Sequence, residues 1–479
     1  MNDAKQATVV TAAVPQTSFF DRLKTLRGVW REIASSLGGS QRNGADLPSD
    51  HPDLLRAQMR DCLQGRGGEV SARARAAVLG RSYLALNDQG RRNFLRILSE
   101  EFGTDATRVD VAVAQLSAAV TPAERLLAER LLREALESPR VKLLTQFNGL
   151  PEGVKFLVDM RGELLPLIKG DSNMQALEAD LKGLLDSWFD VGFLELQRIT
   201  WRSPALVLEK IMAYEVVHAI QGWRDLKNRL DSDRRLYAFF HPRMPDEPLI
   251  FVEVALVRGM AGNVHDLLDE HAPVEDPTKA DSAIFYSINN AQRGLVGISF
   301  GNFLIKRVVD SLLHEFPNLT TFATLSPIPG FRTWLNEKLR AGEARLLNPD
   351  EHRMLLAASE GLGAKGSLRA VLDTPWQEDQ ATADLLKIPL MRLCARYLTE
   401  RRRGDGRAQD PVSRFHLANG ARMERLNWLA DVSGKGMSQS AGMMVNYLYR
   451  LSDIETNHEA YTGQGRIATS ASIDALLKG

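Results

Sequence analysis

The chain has 479 residues, enough for two or three domains at about 100–200 residues each. Hydrophobic residues make up 44% and charged residues 25%, an ordinary globular composition with ample material for a core. Its 60 Lys and Arg balance 60 Asp and Glu, so it lacks the global positive field of a non-specific nucleic-acid binder; a local basic pocket for a phosphorylated small molecule stays open.

Residues 1–16 read as a loose tail. The opening MNDAKQATVVTAAVPQTSFF has no basic stretch followed by an apolar core, so no secretory signal is expected. From 17 to 189 the pattern is helical and predicts an all-α bundle. Thr121-Pro122-Ala123-Glu124 carries a start signal, with Thr121 to cap, Pro122 suited to the first turn and Glu124 to close a capping box. The helix behind it sets Leu126, Leu127, Leu131, Leu132 and Leu136 on one stripe, which needs a partner helix. Nothing in this half groups His, Cys or carboxylates at ligand spacing, so scaffolding or self-association is its expected role. Near residue 190 the texture becomes α/β. Runs at 249–256, 283–288 and 319–325 are short, rich in β-branched and aromatic residues, and separated by turns or helical stretches. Residues 361–366 and 400–406 read as loops. No apolar run reaches the roughly 18–20 residues that span a bilayer. Cys62 and Cys394 lie far apart, which excludes a disulfide framework and a four-Cys zinc site and fits a reducing compartment. A soluble cytoplasmic protein with neither a membrane nor a nucleic-acid partner is expected.

Residues 283–331 read as strand, glycine-containing loop, helix, strand. Ile305, Val308, Val309, Leu312, Leu313 and Phe316 alternate spacings of three and four and give one apolar helix face. Gly301 and Asn302 fall at the expected helix N-terminus, where unpaired N–H groups make an anion site. Gly294, Gly297 and Gly301 allow a pyrophosphate to approach the backbone, and Lys306 and Arg307 add positive charge nearby. The loop matches neither GxxxxGK[ST] nor G-x-G-x-x-G, so a tight turn with packing glycines is an equal reading. Ser326 follows the third strand in a loop stiffened by Pro327 and Pro329, at the strand end where α/β sheets meet ligands. It sits in no G-x-S-x-G elbow, so no acyl-serine intermediate is expected. His416 stands between Phe415 and Leu417; burial lowers a histidine's pKa and a nearby carboxylate raises it. Tyr447 and Tyr449 follow downstream. Taken singly, these residues are more often structural: a turn hydrogen bond for Ser326, a satisfied core histidine at 416, core packing for the tyrosines.

Taken together they carry more. The strings GFLELQRITWRSP (192–204), FLIKRVVDSLLHEFPNL (303–319), LSPIPGF (325–331), FHLANGA (415–421) and NWLADVS (427–433) closely resemble the malonyl-CoA decarboxylase family over nearly the whole chain, more loosely in the helical half. The resemblance implies a helical oligomerisation domain at 17–189 and an α/β catalytic domain at 190–479 with the GCN5-related acetyltransferase (GNAT) fold. It implies a carboxy-lyase of fatty acid metabolism that turns malonyl-CoA into acetyl-CoA and carbon dioxide with no metal and no organic cofactor. It also implies a homo-oligomer, dimer or tetramer, built through the helical domain. The family's catalytic serine falls on Ser326 and its catalytic histidine on His416. An active-site tyrosine falls on Tyr449, a serine on the preceding strand on Ser287, and the malonyl-CoA loop on Val296, Gly297, Ile298, Ser299, Phe300, Gly301 and Asn302. Some positions depart from the pattern. Gly294 stands where a typical acetyltransferase pyrophosphate loop has Gln or Arg, and Ser299 stands where mammalian members carry glutamate. The peroxisomal C-terminus of those members is absent, so organellar targeting is not expected.

The implied chemistry needs no cofactor because the thioester carbonyl accepts the electron pair left by CO2. It does need a held carboxylate, a stabilised oxyanion and a proton for carbon. Ser326 is expected at the carboxylate end and His416 as the proton source, with the two roles interchangeable; backbone N–H groups, with Tyr449, would hold the thioester oxygen. Two other readings fit a CoA site: an acyl-CoA-dependent N-acetyltransferase, and a non-catalytic CoA-binding scaffold.

Overall fold

The computed structural model describes Leu26 and residues 28–34, 52–64, 68–189, 191–298, 304–342, 346–360, 367–402, 404 and 406–478. Helix starts in the first half follow local chemistry. In α1 (Ala106–Ala118) the Asp105 side chain accepts the N–H groups of Thr107 and Arg108. In α2 (Pro122–Leu136) the expected capping box forms: Glu124 N donates to Thr121 Oγ1 at 3.3 Å, and Thr121 N donates to the Glu124 carboxylate at 2.9 Å. Then come α3 (Pro139–Asn148), α4 (Gly153–Leu164) and α5 (Ser172–Trp188). The core gathers around α4, which buries Val154, Phe156, Leu157, Val158, Met160 and Leu164. The Phe156 ring meets Trp30 at 5.0 Å edge-on and Phe147 at 4.9 Å. Such contacts add about 0.5–1.5 kcal/mol each beyond the area they bury. The α1–α2 hairpin is different. Ala112 of α1 and Ala128 and Ala135 of α2 are its buried residues, while Leu126 is 69% exposed and Leu127 50%. Among the described residues, the Leu126, Leu127 and Leu136 part of the leucine stripe is therefore left exposed.

Two compact units divide the molecule: Met1–Leu194 with Phe240–Glu247 and Gln292–Phe300, and Glu195–Phe239 with Pro248–Ala291 and Gly301–Gly479. Two short pieces of the second half thus belong with the helices. The piece at Gln292–Phe300 is held tightly. Arg161 of α4, 2% exposed, pairs with Glu178 at 2.6 Å and donates to the Gly294 carbonyl at 2.5 Å, which satisfies a charge that would be costly to bury alone. Gly294 runs so close to α4 that a Cβ there would stand 1.7 Å from the Val158 carbonyl oxygen, so the position admits only glycine.

The other unit rests on a mixed sheet. Its strands are β1 (Glu195–Ile199), β2 (Arg234–Phe240), β3 (Ile250–Val257), β4 (Ser282–Asn290), β5 (Thr321–Thr324), β6 (Ser326–Pro327), β7 (Arg422–Asn427) and β8 (Met444–Leu448). Among the described residues the order is β1-β2-β3-β4-β5-β8-β6, with β7 also on β8. The runs read at 249–256, 283–288 and 319–325 correspond to β3, β4 and β5. Strands β2 and β3 are buried almost end to end and mostly apolar, with Arg234, Arg235 and Glu253 as buried charges. β3 and β4 run antiparallel, with a bulge that leaves Tyr286 unpaired between Phe285↔Val254 and Ser287↔Glu253. β4 and β5 run parallel from Ser282↔Thr321 to Phe285↔Thr324, where their ladder ends. The helices that matter for the site are α6 (Ala205–Tyr214), α7 (Trp223–Arg229), α8 (Leu304–Glu315), α9 (Gln380–Thr399) and α10 (Pro411–Ala418). α8 buries Leu304, Ile305, Val308, Val309 and Leu312; of the face its spacing predicts, Leu313 is only partly buried and Phe316 is buried just past the helix end. The tail at 1–16 and the loop at 361–366 lie outside the described residues. Among those described, no helix is long and apolar enough to cross a membrane, and no group of three or more His, Cys, Asp or Glu could hold a metal ion.

Candidate active site

The site grows from the step between β5 and β6. Thr324 and Ser326 are two residues apart, so both side chains face the same side of the sheet. Ser326 is buried; its Oγ donates to Thr324 Oγ1 at 2.8 Å and lies 3.1 Å from His416 Nε2. Thr324 is fixed in turn, its Oγ1 accepting the Tyr447 N–H at 3.1 Å and its carbonyl accepting Asn446 Nδ2 at 2.7 Å. The segment beyond β6 is tied down at Gly330. A Cβ there would stand 2.1 Å from the Tyr397 hydroxyl, which reaches past it from α9 to donate to Asp410 Oδ2 at 3.1 Å.

Asp410 begins α10. Its other oxygen accepts the Ser413 N–H at 2.8 Å, and Pro411 occupies the first turn. His416 falls in the last turn, only 2% exposed. Its Nδ1 lies 2.8 Å from the Tyr449 hydroxyl, and the Tyr447 ring stacks on the imidazole at 4.5 Å and 22°. Ser326, His416 and Tyr449 thus form one hydrogen-bonded line although they come from three separate elements. Burial sets the electrostatics. It pushes the His416 imidazole down to about 3, because no neighbouring charge compensates for lost solvation. It raises the Tyr449 phenol as well, so both groups are neutral near pH 7. A neutral imidazole offers one donor and one acceptor. With the Ser326 proton directed at Thr324, Nε2–H donates to Ser326 and Nδ1 accepts from Tyr449.

Ser287 belongs to a second buried network, which sequence reasoning did not find. Its hydroxyl donates to Glu215 Oε2 at 2.8 Å and lies 2.7 Å from Asn289 Nδ2, which also donates to Glu215 at 2.6 Å. The other Glu215 oxygen accepts the backbone N–H groups of Val217 and His218 at 2.7 and 2.8 Å. Glu253, opposite Ser287 on β3 and fully buried, accepts from Arg229 at 3.0 Å, and Arg229 is gripped by Asp225 at 2.7 Å. Burial pushes the Glu253 carboxyl up to about 8; Arg229 opposes this and the neighbouring Glu215 adds to it. A signal did exist in the sequence, since acidic Glu253 interrupts an otherwise apolar strand.

Of the loop residues, Val296 is 56% exposed, Gly297 adopts φ +77° and Ile298 is buried, all within the helical unit's share of the chain. Ser299, Phe300, Gly301 and Asn302 lie outside the described residues.

A hydroxyl and a neutral imidazole are held 3.1 Å apart, each braced by its own partner inside a mixed-sheet unit, an arrangement of the kind enzymes use for proton transfer. Residues 192–479 match the model for the malonyl-CoA decarboxylase C-terminal domain, and 102–189 match that for its N-terminal domain. The chain is 36% identical to "Malonyl-CoA decarboxylase, mitochondrial" of Anser anser anser, covering 96% of this chain and 94% of that one. It is 38% identical to the protein of the same name from Rattus norvegicus, covering 90% and 87%. Among solved structures, malonyl-CoA decarboxylase from Rhodopseudomonas palustris superposes with a TM-score of 0.81 at 44% identity, covering 89% of this chain and 99% of that one. The protein of that name from Agrobacterium vitis gives 0.79 at 43%, covering 88% and 99%. The chain belongs to the malonyl-CoA decarboxylase family, and is a decarboxylating carboxy-lyase.

Proposed function

We propose that the chain converts malonyl-CoA to acetyl-CoA and carbon dioxide without a metal or organic cofactor, using Ser326 and His416. The observation that carries this reading is the Ser326–His416–Tyr449 line in a member of this family. The bond between the α-carbon and the carboxylate breaks, and its electron pair enters the thioester carbonyl as an enolate. One proton from solvent then ends on the α-carbon, which balances the reaction. His416 delivers it. The imidazole starts neutral, and the substrate's anionic carboxylate beside it favours the charged form that burial disfavours. Proton uptake thus accompanies substrate binding. Ser326 orients the carboxylate end and relays the proton. Tyr449, bonded to Nδ1, acts through His416 as a positioning residue rather than on the thioester oxygen. Because the Ser287 proton is committed to Glu215, its contact with substrate requires exchange of that bond. Val296, Gly297, Ile298, Ser299, Phe300, Gly301 and Asn302 are assigned to the CoA portion on the family's pattern.

We read the sheet unit as GNAT-like, supported by the parallel β4–β5 pair whose ladder stops at Phe285 and Thr324 and by the bulge at Tyr286. We read the helical region at 17–189 as the oligomerisation domain, with a second copy covering the exposed Leu126 and Leu127 of the α1–α2 hairpin. A monomer in light scattering that is unchanged by Leu127→Glu would reject that. We read the chain as cytoplasmic, against relatives named mitochondrial; cell fractionation decides it. The deciding experiment for function is incubation with malonyl-CoA and no acceptor amine. Stoichiometric CO2 and acetyl-CoA support the decarboxylase. Turnover only with an added amine would favour an N-acetyltransferase, and binding without turnover a scaffold.

A further inference from the structure

We propose that Tyr447 is a positioning residue for the reaction, one side chain and its backbone setting both halves of the serine–histidine pair. The inference rests on the roles given above to Ser326 and His416. Tyr447 and Tyr449 lie two apart on and just past β8, so both face α10. Tyr449 fixes the direction of the His416 ring by bonding Nδ1, and Tyr447 fixes its plane by stacking at 4.5 Å and 22°. The hydrogen bonds at Nδ1 and Nε2 both lie in the ring plane and leave the ring able to tilt out of it; a plate against its face opposes that tilt.

The plate is itself anchored. The Tyr447 hydroxyl lies 2.6 Å from Ser413 Oγ, and Ser413 stands three residues before His416 on the same face of α10. One side chain therefore holds two points of the helix that carries the histidine. On the other side, the Tyr447 N–H donates to Thr324 Oγ1 at 3.1 Å, and Thr324 Oγ1 accepts from Ser326 at 2.8 Å. The residue thus braces the imidazole through its ring and the serine through its backbone. Tyr447 is fully buried, so nothing else can take the place of the ring without repacking.

The test compares Tyr447→Phe, which keeps the plate and loses the Ser413 anchor, with Tyr447→Leu, which loses the plate, in the full-length protein with malonyl-CoA as substrate. Misplacing a reacting group costs up to about 10²-fold in rate, so Tyr447→Leu should lose at least about tenfold in kcat with KM within about twofold, and Tyr447→Phe should lose less. In carbon-labelled protein, the His416 ring-proton resonance should leave its ring-current-shielded position in Tyr447→Leu and keep it in Tyr447→Phe. His416→Ala and Ser326→Ala run alongside. If either control turns over normally, the roles of the pair fail and this inference with them. If both controls are inactive while Tyr447→Leu keeps its kcat, or loses kcat and gains KM equally with the His416 signal unmoved, positioning by Tyr447 alone is refuted. Should Tyr447→Leu not fold, Tyr447→Phe and Ser413→Ala decide by kcat and by line width: loss of the anchor must lower kcat and broaden the His416 signal about its unchanged shielded position, and an unchanged kcat with an unchanged line width overturns the proposal.

Discussion

The 3.1 Å contact between Ser326 and His416 makes a demand on kinetics that single substitutions cannot meet alone. A placed general acid or base contributes about 10²–10⁴ in rate, which is about 2.7–5.5 kcal/mol at 1.36 kcal/mol per decade. Two independent groups of about 10³ each would multiply, and Ser326→Ala/His416→Ala would fall by about 10⁶. Groups acting as one unit do not multiply: the double variant should fall no further than the worse single one, at about 10³, a coupling of roughly 4 kcal/mol. The geometry argues for the second outcome, because the Ser326 oxygen and Nε2 share one hydrogen bond and removing either end leaves the other without its reaction partner. The assay is release of CO2 and acetyl-CoA from malonyl-CoA, with circular dichroism to confirm folding of all four proteins. Multiplicative losses would falsify the concerted unit, and near-normal turnover of either single variant would remove that residue from the chemistry.

Tyr449→Phe deletes one oxygen and leaves His416 Nδ1 buried without a donor, a cost of about 1–3 kcal/mol; kcat should fall with KM little changed, and a parent-like denaturation midpoint and kcat would contradict it. Glu253→Gln tests the second network through pH. A carboxyl raised to about 8 binds a proton in the fold that the unfolded chain has lost, so stability declines as pH rises from the ordinary glutamate range through 8. The neutral amide removes that decline, and the melting-temperature gap in favour of Glu253→Gln should widen from pH 5 to pH 9; parallel curves would sink the argument. Gly294→Ala places a methyl 1.7 Å from the Val158 carbonyl and must displace the turn before Val296, lowering thermal stability and raising KM for malonyl-CoA. Parent-like melting and KM in that variant would show the turn to be free of α4.

Much of the scaffold was legible because burial on both faces writes itself as continuous apolar text. β3, but for Glu253, and the run at 283–286 of β4 stand out for that reason, and the three-and-four spacing of α8 predicts most of its buried face, with Leu313 only partly covered. The capping box at Thr121 was equally plain, since its chemistry is contained within four residues. The site was legible only through family resemblance. Ser326 and His416 are 90 residues apart, and their meeting depends on β8 pairing with β6 and β7, which no local spacing encodes. Ser287 gave no sign that its proton goes to Glu215, 72 residues upstream. Thr324 and Ser413 were accessible in principle, because they lie at strand and helix spacing from Ser326 and His416; an isolated hydroxyl at such a spacing carries too little information to select. The leucine stripe of α2 was visible, but the exposure of Leu126 and Leu127 among the described residues was not.

The assignment of Phe240–Glu247 and Gln292–Phe300 to the helical unit has a practical result for anyone dissecting the molecule. A fragment beginning near residue 190 would separate Gly294 from Arg161 and Val158, stripping that turn of its buried ion and its closest backbone neighbour. The converse fragment would keep Arg161 and Glu178 but leave a guanidinium donor facing an empty slot. Neither half can be excised cleanly at the point where the texture of the sequence changes; the chain is stitched across that line twice.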